Sequence, residues 1–287
     1  MTQVPLSIAL LVLLCAPFAY GQAADTEKEL QLGIAAYERF AYREAAEHFI
    51  KAVALNPASA RSHLYLANAY NDAYCEDCET DSDAAAKENE QWSSLAIAEY
   101  KKVLDLAPAN TEALLALAHR YFWKADYDEA ERCYRRVISI NANDAEALYT
   151  LAVIDFTRSY RVRIEEQAAL KLSRRQSLIG SPGCGKVRSQ NLESVEEGIS
   201  LLKEMLPIRN ATDAMGYMAA LYQEKAEIDC GDRPAYRKDM NTFRQWARRE
   251  CEMWQRPDAA KTPPRWPAAL PPPPSIKACS PRTRGGQ

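Results

Sequence analysis

The segment Thr111–Ala142 reads TEALLALAHRYFWKADYDEAERCYRRVISINA, two apolar patterns of helical spacing on either side of a short polar stretch. In its first half Leu117 is followed by the small residue Ala118. The same pair of residue types recurs at Leu32-Gly33, Leu66-Ala67 and Leu151-Ala152. Along the chain the steps between the leucines are 34, 51 and 34 residues, and 51 is one and a half times 34. Recurrence at a fixed period of this length predicts a repeat architecture.

A second set of anchor residues recurs with spacings of four, three and five residues. The three copies are Ala45-Phe49-Ala52-Pro57, Ala96-Tyr100-Val103-Pro108 and Ala130-Tyr134-Val137-Ala142. A step of four and then three places apolar side chains on one face of a helix, and a proline ends that helix in two of the copies. Each period therefore predicts two short helices joined by a tight turn. One such pair buries its apolar face only by stacking on its neighbours.

The pattern resembles the tetratricopeptide repeat family, most closely in the unit that carries Leu117-Ala118, Tyr121, Tyr127, Ala130 and Tyr134. The resemblance implies an all-α fold, a right-handed α-solenoid of antiparallel helix pairs. We expect a helical domain over residues 24–256. Its expected units are residues 26–57, 60–108, 111–142, 145–207 and 212–255. Insertions are expected at residues 71–92 and 157–190, and after the second of them we expect the helix to resume near Asn191–Leu206.

The composition agrees with a helical protein and disfavours several classes of fold and function. Glycine accounts for 10 of the 287 residues, which counts against Rossmann folds, TIM barrels and β-sandwiches. The formal net charge of −3 gives no global electrostatic reason to bind nucleic acid. No nucleophile–base pair or cofactor loop is recognisable. We therefore expect a non-catalytic protein with a protein or peptide partner, no nucleic acid partner and no cofactor.

The two ends of the chain differ from the repeats. No charged residue precedes Asp25, and the apolar stretch Leu6–Tyr20 is shorter than the roughly 20 residues that span a membrane. Small residues follow this stretch, so we interpret residues 1–21 as a signal peptide, with an uncleaved anchor as the alternative. The mature chain is then expected to be exported, periplasmic or extracellular, without a membrane span. Residues 257–287 hold nine of the 16 prolines and a charge of +4, which predicts a disordered basic tail.

Cys75 and Cys78 form a C-x-x-C pair among acidic neighbours, which disfavour a reactive thiolate. A disulfide is the plain interpretation, either within the pair or to Cys184 or Cys230. A metal or redox site and unpaired thiols remain alternatives. Removal of the signal with Cys15 leaves seven of the eight cysteines. Because seven is odd, one cysteine is expected to be free or intermolecular, and we assign this state to Cys279.

Other motifs are weaker. Gly180–Lys186 has the spacing of a phosphate loop, but Val187 stands where serine or threonine is required, so we interpret the segment as a turn. The acidic stretch Glu76–Glu90 lacks the glycine and the ordered oxygen spacing of a calcium loop, which predicts a solvated loop. The three histidines are expected on helices and lack the spacing of a metal-ligand pair; they are His48, His63 and His119. No metal site is predicted.

In the tetratricopeptide family the first helix of each pair lines a concave surface to which partner segments bind. The helical period projects eight partner-binding residues onto that surface: Tyr37, Asn68, Asn71, His119, Phe122, Trp123, Tyr149 and Phe156. Asn68 resembles the asparagine of a carboxylate-clamping subset, but Leu64 stands where a lysine is expected. The sequence therefore predicts an apolar, aromatic groove with two amides that holds a partner segment. The alternative is that an insertion or the loop of the fourth unit covers these rings.

Two further functions remain open at this level. A redox or metal-handling protein would use Cys75 and Cys78. A structural spacer would make its contact through the Pro-rich tail. We favour a scaffold outside the cytoplasm that binds a partner segment in the groove.

Overall fold

The computed structural model describes residues 23–74, 83–173, 176–208 and 212–255, and all regular structure in these residues is α-helical. The helices are α1 (residues 23–37), α2 (Tyr42–Leu55), α3 (Ala60–Ala73), α4 (Asp83–Leu106), α5 (Thr111–Trp123), α6 (Tyr127–Ile140), α7 (Ala145–Ala169), α8 (Gly183–Ile208), α9 (Thr212–Glu227) and α10 (Arg233–Trp254). Consecutive helices pack in pairs, which confirms the all-α, helix-pair fold class predicted from the sequence. We call α1, α3, α5, α7 and α9 the A helices.

Three A helices begin at the same kind of polar cap. The side chains of Ser59, Asn110 and Asp144 accept hydrogen bonds from the backbone N–H three residues further on, at 3.1, 2.8 and 3.0 Å. Such a cap satisfies one of the backbone donors that a helix start leaves without an intrahelical partner. The starts of α3, α5 and α7 are therefore fixed locally by the sequence.

Four of the five A helices end in a recurrent tight turn. Phe40, Ala125, Lys171 and Cys230 have positive φ values of 61°, 56°, 58° and 51° in the turns that follow α1, α5, α7 and α9. This left-handed conformation costs about 1 kcal/mol for a residue with a Cβ. In the first of these turns the N–H of Ala41 donates to the carbonyl of Ala36 at 3.0 Å, which closes the turn.

The chain divides into two compact units, one ending at Cys133 within α6 and the other beginning at Tyr134. In the first unit α2 packs on α3, α3 on α4 and α4 on α5. Close approach of α1 and α2 depends on Gly33, since a Cβ there would lie 2.3 Å from Cε1 of Phe49. The equivalent small residues Ala67 and Ala118 are fully buried. The sequence pattern of leucine plus a small residue thus marks the helix-pair contact.

In the second unit α7 packs on α8 and α9, and α9 packs on α8 and α10. The expected insertion at 157–190 takes a different form, because α7 is one uninterrupted helix of 25 residues and α8 begins at Gly183 rather than near Asn191. The chain between them is shorter than expected. In the first unit α4 begins at Asp83, so the part of Glu76–Glu90 from Asp83 onward is helical and its prediction as a solvated loop is wrong.

Several expectations lie outside the described residues: the signal peptide at 1–21, the tail at 257–287, the pair Cys75 and Cys78, and Cys279. Among the described helices, none combines the length and the apolar character that a membrane crossing requires.

Candidate functional site

Polar side chains of three A helices meet on one side of the first unit. We call this set the A-helix face; it consists of Tyr37 on α1, Asn68, Asn71 and Asp72 on α3, and Glu112 and Arg120 on α5. The positions follow from the repeat, since Tyr37 and Asn71 are separated by 34 residues. Each falls near the end of its A helix.

A chain of hydrogen bonds runs across the face from α1 to α5. The hydroxyl of Tyr37 donates to the carboxylate of Asp72. Asn71 Nδ2 donates to Asp72 Oδ1 at 2.9 Å, and Arg120 Nε donates to Asn71 Oδ1 at 2.8 Å. Each link holds the next side chain in one orientation, so the face presents a fixed polar surface rather than mobile side chains.

A second set of bonds fixes Asn68. Its Nδ2 donates to Glu112 Oε1 at 2.8 Å, and its Oδ1 accepts from the hydroxyl of Tyr100 at 2.7 Å. Tyr100 belongs to α4 and is 1 % exposed. The amide of Asn68 is therefore held by two hydrogen bonds, one from the buried Tyr100 and one to Glu112 of the next A helix.

Charge on the face is unevenly buried. Arg120 is buried, and its guanidinium carbon lies 4.3 Å from the ring centre of Tyr74, a cation–π distance. Asp72 and Glu112 are exposed. Since the two acids are exposed and the arginine is buried, the surface presented to solvent is acidic.

The two phenols of the network stay neutral at ordinary pH. Burial raises the pKa of Tyr37 well above its usual value of about 10, and the hydrogen bond to Asp72 raises it further. Burial likewise raises the pKa of Tyr100, with a smaller contribution from the charge of Asp72. Both hydroxyls therefore remain hydrogen-bond donors.

Three of the residues projected from the sequence belong to this face. Tyr37, Asn68 and Asn71 lie together on the face as projected. Sequence reasoning missed Asp72, Glu112 and Arg120. Two of these are direct neighbours of predicted residues, Asp72 after Asn71 and Arg120 after His119, so a shift of one residue in the projection would have found them.

On α5 the projection as a groove residue is wrong for Phe122. Phe122 is 6 % exposed and packs edge-on against Trp123 and Tyr127, with ring centres 6.0 and 5.5 Å away. It belongs to the contact between α5 and α6. Trp123 and His119 are half-buried, and all three predicted histidines lie on helices as expected.

In the second unit the predicted groove residues are covered. Tyr149 and Phe156 of α7 are 2 % and 7 % exposed. The ring of Tyr217 on α9 packs edge-on against them, with ring centres 5.7 and 5.6 Å away. Their prediction as exposed groove residues is therefore wrong. The covering element is α9 rather than an insertion or a loop.

A buried ion pair joins the same two helices. Arg163 of α7 donates from Nε and Nη2 to the two carboxylate oxygens of Glu224 on α9, at 2.6 and 2.7 Å. Arg163 Nη1 also donates to Gln167 Oε1 at 3.1 Å. This two-pronged geometry is the strong form of an arginine–carboxylate contact.

A disulfide between Cys184 and Cys230 joins the start of α8 to the turn before α10. The alternative that Cys75 or Cys78 pairs with either of them is therefore wrong. Within the segment of phosphate-loop spacing, Lys186 binds the carboxylate of Glu166. The described residues contain no group of three His, Cys, Asp or Glu side chains that is arranged to hold a metal ion.

Comparison with known proteins agrees with this architecture. A family model described as tetratricopeptide repeat matches residues 94–154. Two solved structures of MamA, one of them from AMB-1, are 16 % and 15 % identical, with TM-scores of 0.50 each; they cover 80 % and 83 % of this chain and 96 % and 97 % of their own. Pseudomonas aeruginosa PilF is 18 % identical, covers 84 % of this chain and 89 % of its own, and has a TM-score of 0.43. Among curated proteins no sequence matches. At these identities the likeness concerns the fold.

Proposed function

Because the chain is a tetratricopeptide-repeat protein, we propose that it is a non-catalytic scaffold that binds a segment of a partner protein on the A-helix face of its first unit. Repeats of this family are in general protein-interaction modules. The observation that carries the proposal is the hydrogen-bonded chain from Tyr37 through Asp72 and Asn71 to Arg120.

Fixed polar side chains suit recognition for an energetic reason. Ordering a side chain at an interface costs about 0.5–1.5 kcal/mol, and this cost is smaller where the orientation is already set in the free protein. Carboxylate oxygens and amide nitrogens each have the capacity for a second hydrogen bond. Asp72, Asn71 and Asn68 thus have donors and acceptors suited to the backbone of an extended segment.

The proposal includes export to the periplasm or the extracellular space. The Cys184–Cys230 disulfide supports an oxidising compartment, since cytosolic thiols are kept reduced. Expression of the full chain with its own N-terminus tests this. We expect the exported protein to begin at Gln22. Retention of the chain in the cytoplasm would contradict the location and leave the interaction proposal standing.

Site-specific photo-crosslinking in the native host tests the interaction. A photoreactive amino acid at the position of Glu112 probes the A-helix face, and the same amino acid at Ile50, an exposed residue of α2, is the matched control. We expect a discrete crosslinked partner from the Glu112 position, absent from the Ile50 position and reduced by Asn71→Ala. Equal crosslinking from both positions, or none from either, would contradict the proposal.

A further inference from the structure

Phe40 is an unusual residue for the turn between α1 and α2. Its side chain is 77 % exposed, and its backbone has a φ of 61°. The equivalent turn after α5 uses Ala125, with a φ of 56°. A bulky aromatic in this conformation carries backbone strain, and exposure removes the gain from burying the ring. Neither backbone preference nor packing accounts for Phe40, which suggests that the ring contacts a ligand.

Phe40 is the outermost of three neighbouring rings. Its ring centre lies 6.2 Å from that of Tyr42, and Tyr42 lies 5.3 Å from Tyr37, both in edge-on geometry. The rings stand beside a cavity of about 460 Å³. The cavity is lined by Phe40, Ala41, Tyr42, Arg43, Glu44, Asp72 and Ala73. It therefore borders the A-helix face through Asp72.

The other two charged residues of the cavity are already paired. Arg43 Nη2 lies 2.7 Å from Glu88 Oε1, and its guanidinium stacks over the ring of Trp92 at 5.8 Å. Glu44 Oε1 lies 3.1 Å from Arg39 Nη2. The charges within each of these two pairs cancel, so the net charge of the cavity depends on Asp72.

Asp72 accepts its hydrogen bonds from neutral donors, the hydroxyl of Tyr37 and the amide of Asn71. Its carboxylate is exposed and takes no part in the two ion pairs formed by Arg43 and Glu44. The cavity thus combines aromatic rings with one negative charge that neither of these ion pairs neutralises. Rings attract a cation through their negative faces, and a carboxylate forms its strongest hydrogen bonds with one.

We propose that Phe40, Tyr42 and Asp72 form a pocket for the side chain of an arginine or lysine in the partner segment. The inference rests on the proposed function and specifies the chemistry of the partner. The cation lies against the rings of Phe40 and Tyr42 and donates to Asp72. The partner segment then contacts two parts of the surface. Its basic side chain lies in the pocket, and its neighbouring backbone forms hydrogen bonds with Asn71 and Asn68 of the A-helix face.

A titration with one probe and its neutral isostere tests the pocket. The full chain, with ¹³C-labelled phenylalanine rings, is titrated with N-acetyl-arginine N-methylamide and, separately, with the corresponding citrulline derivative. We expect a saturable shift of the Phe40 ring signal, assigned with Phe40→Ala, and binding of arginine about fivefold tighter than citrulline. Equal binding of the two probes, or no shift of Phe40, would overturn the proposal.

Two variants sharpen the result. Asp72→Asn keeps the shape of the carboxyl group and removes its charge, so the preference for arginine over citrulline should disappear. Leu32→Ala removes another exposed apolar side chain of the first unit, outside the pocket, and should leave the titration unchanged. Loss of the preference in Leu32→Ala, or its persistence in Asp72→Asn, would contradict the assignment.

The outcome separates this inference from the proposed function. Crosslinking from the Glu112 position without arginine binding at Phe40 would reject the pocket alone. Arginine binding at Phe40 without a crosslinked partner would reject the scaffold proposal and keep the pocket.

Discussion

The A helices α1 and α3 carry a polar network at their ends, whereas α5 and α7 bury the side chains at the corresponding positions. Positions Tyr37, Asn71, Phe122 and Phe156 are related by the steps of the repeat, 34, 51 and 34 residues. The first two are half-buried and belong to a polar network; Phe122 and Phe156 are 6 % and 7 % exposed. One repeat position thus belongs to a polar network in α1 and α3 and to the packed core in α5 and α7.

The A helices of the two units also differ in length. The A helices α3 and α5 have 14 and 13 residues, whereas α7 has 25. Residues on the added turns, such as Arg163, are buried against α9. The longer helix therefore makes additional buried contacts with the next A helix of its unit. The comparison teaches that a repeat signature predicts the helix pair but not whether its inner face stays open.

The largest expected effect is loss of the ion pair in the second unit. Arg163→Ala leaves Glu224 buried without its counter-charge, which costs about 3–5 kcal/mol. Hydrogen exchange should increase in α7 and α9, with α2 and α3 unchanged. Arg161→Ala, which breaks a solvent-exposed pair with Glu165, is the control and should have little effect. An equal increase in both units would mean that they do not unfold separately.

Removal of the disulfide should have the next largest effect. Cys184→Ala/Cys230→Ala opens a loop of 46 residues, and such a change costs about 2–4 kcal/mol. We expect denaturant unfolding of the second unit to shift to lower denaturant concentration, as followed by hydrogen exchange in α8 and α10. Unchanged protection of these helices would show that packing alone holds the turn before α10 in place.

In the first unit, Gly33→Ala tests the close approach of α1 and α2. The added methyl group overlaps the ring of Phe49, and overpacking of this kind costs about 1–3 kcal/mol. Gly185→Ala in α8 is the matched control, since a Cβ there meets no atom within 4 Å. It should be neutral or slightly stabilising, because alanine favours the helix. Thermal unfolding of both variants measures the difference.

The smallest effect concerns pH and the A-helix face. The folded-state pKa of Tyr37 and of Tyr100 is raised, so the unfolded chain loses these protons first. Their contribution to stability is complete below pH 10 and decreases as the pH rises toward the folded pKa values. Burial also raises the pKa of Tyr70, so ultraviolet absorbance of tyrosinate should show at least three late-ionising phenols, and Tyr37→Phe should remove one. Ionisation of both groups near pH 10 in the folded protein would contradict the buried network.

Part of the site could be predicted because it depends on the repeat. Tyr37, Asn68 and Asn71 were found from the helical period alone. Tyr149 and Phe156 were not predicted correctly, since the period gives the side of a helix on which a residue lies and not what packs there. α9 covers them, and its contribution depends on a contact between residues about 60 apart in sequence, such as Phe156 and Tyr217.

The sequence by itself determined the helix pairs, their period and their capped starts, because these depend on neighbours within one or two turns. It also determined where small residues allow helices to approach. The tertiary structure decided what packs against the inner face of α7, which cysteines pair between α8 and the turn before α10, and which charges are matched. These features depend on side chains that are distant in sequence and become neighbours only when the helices pack, so no local pattern contains them.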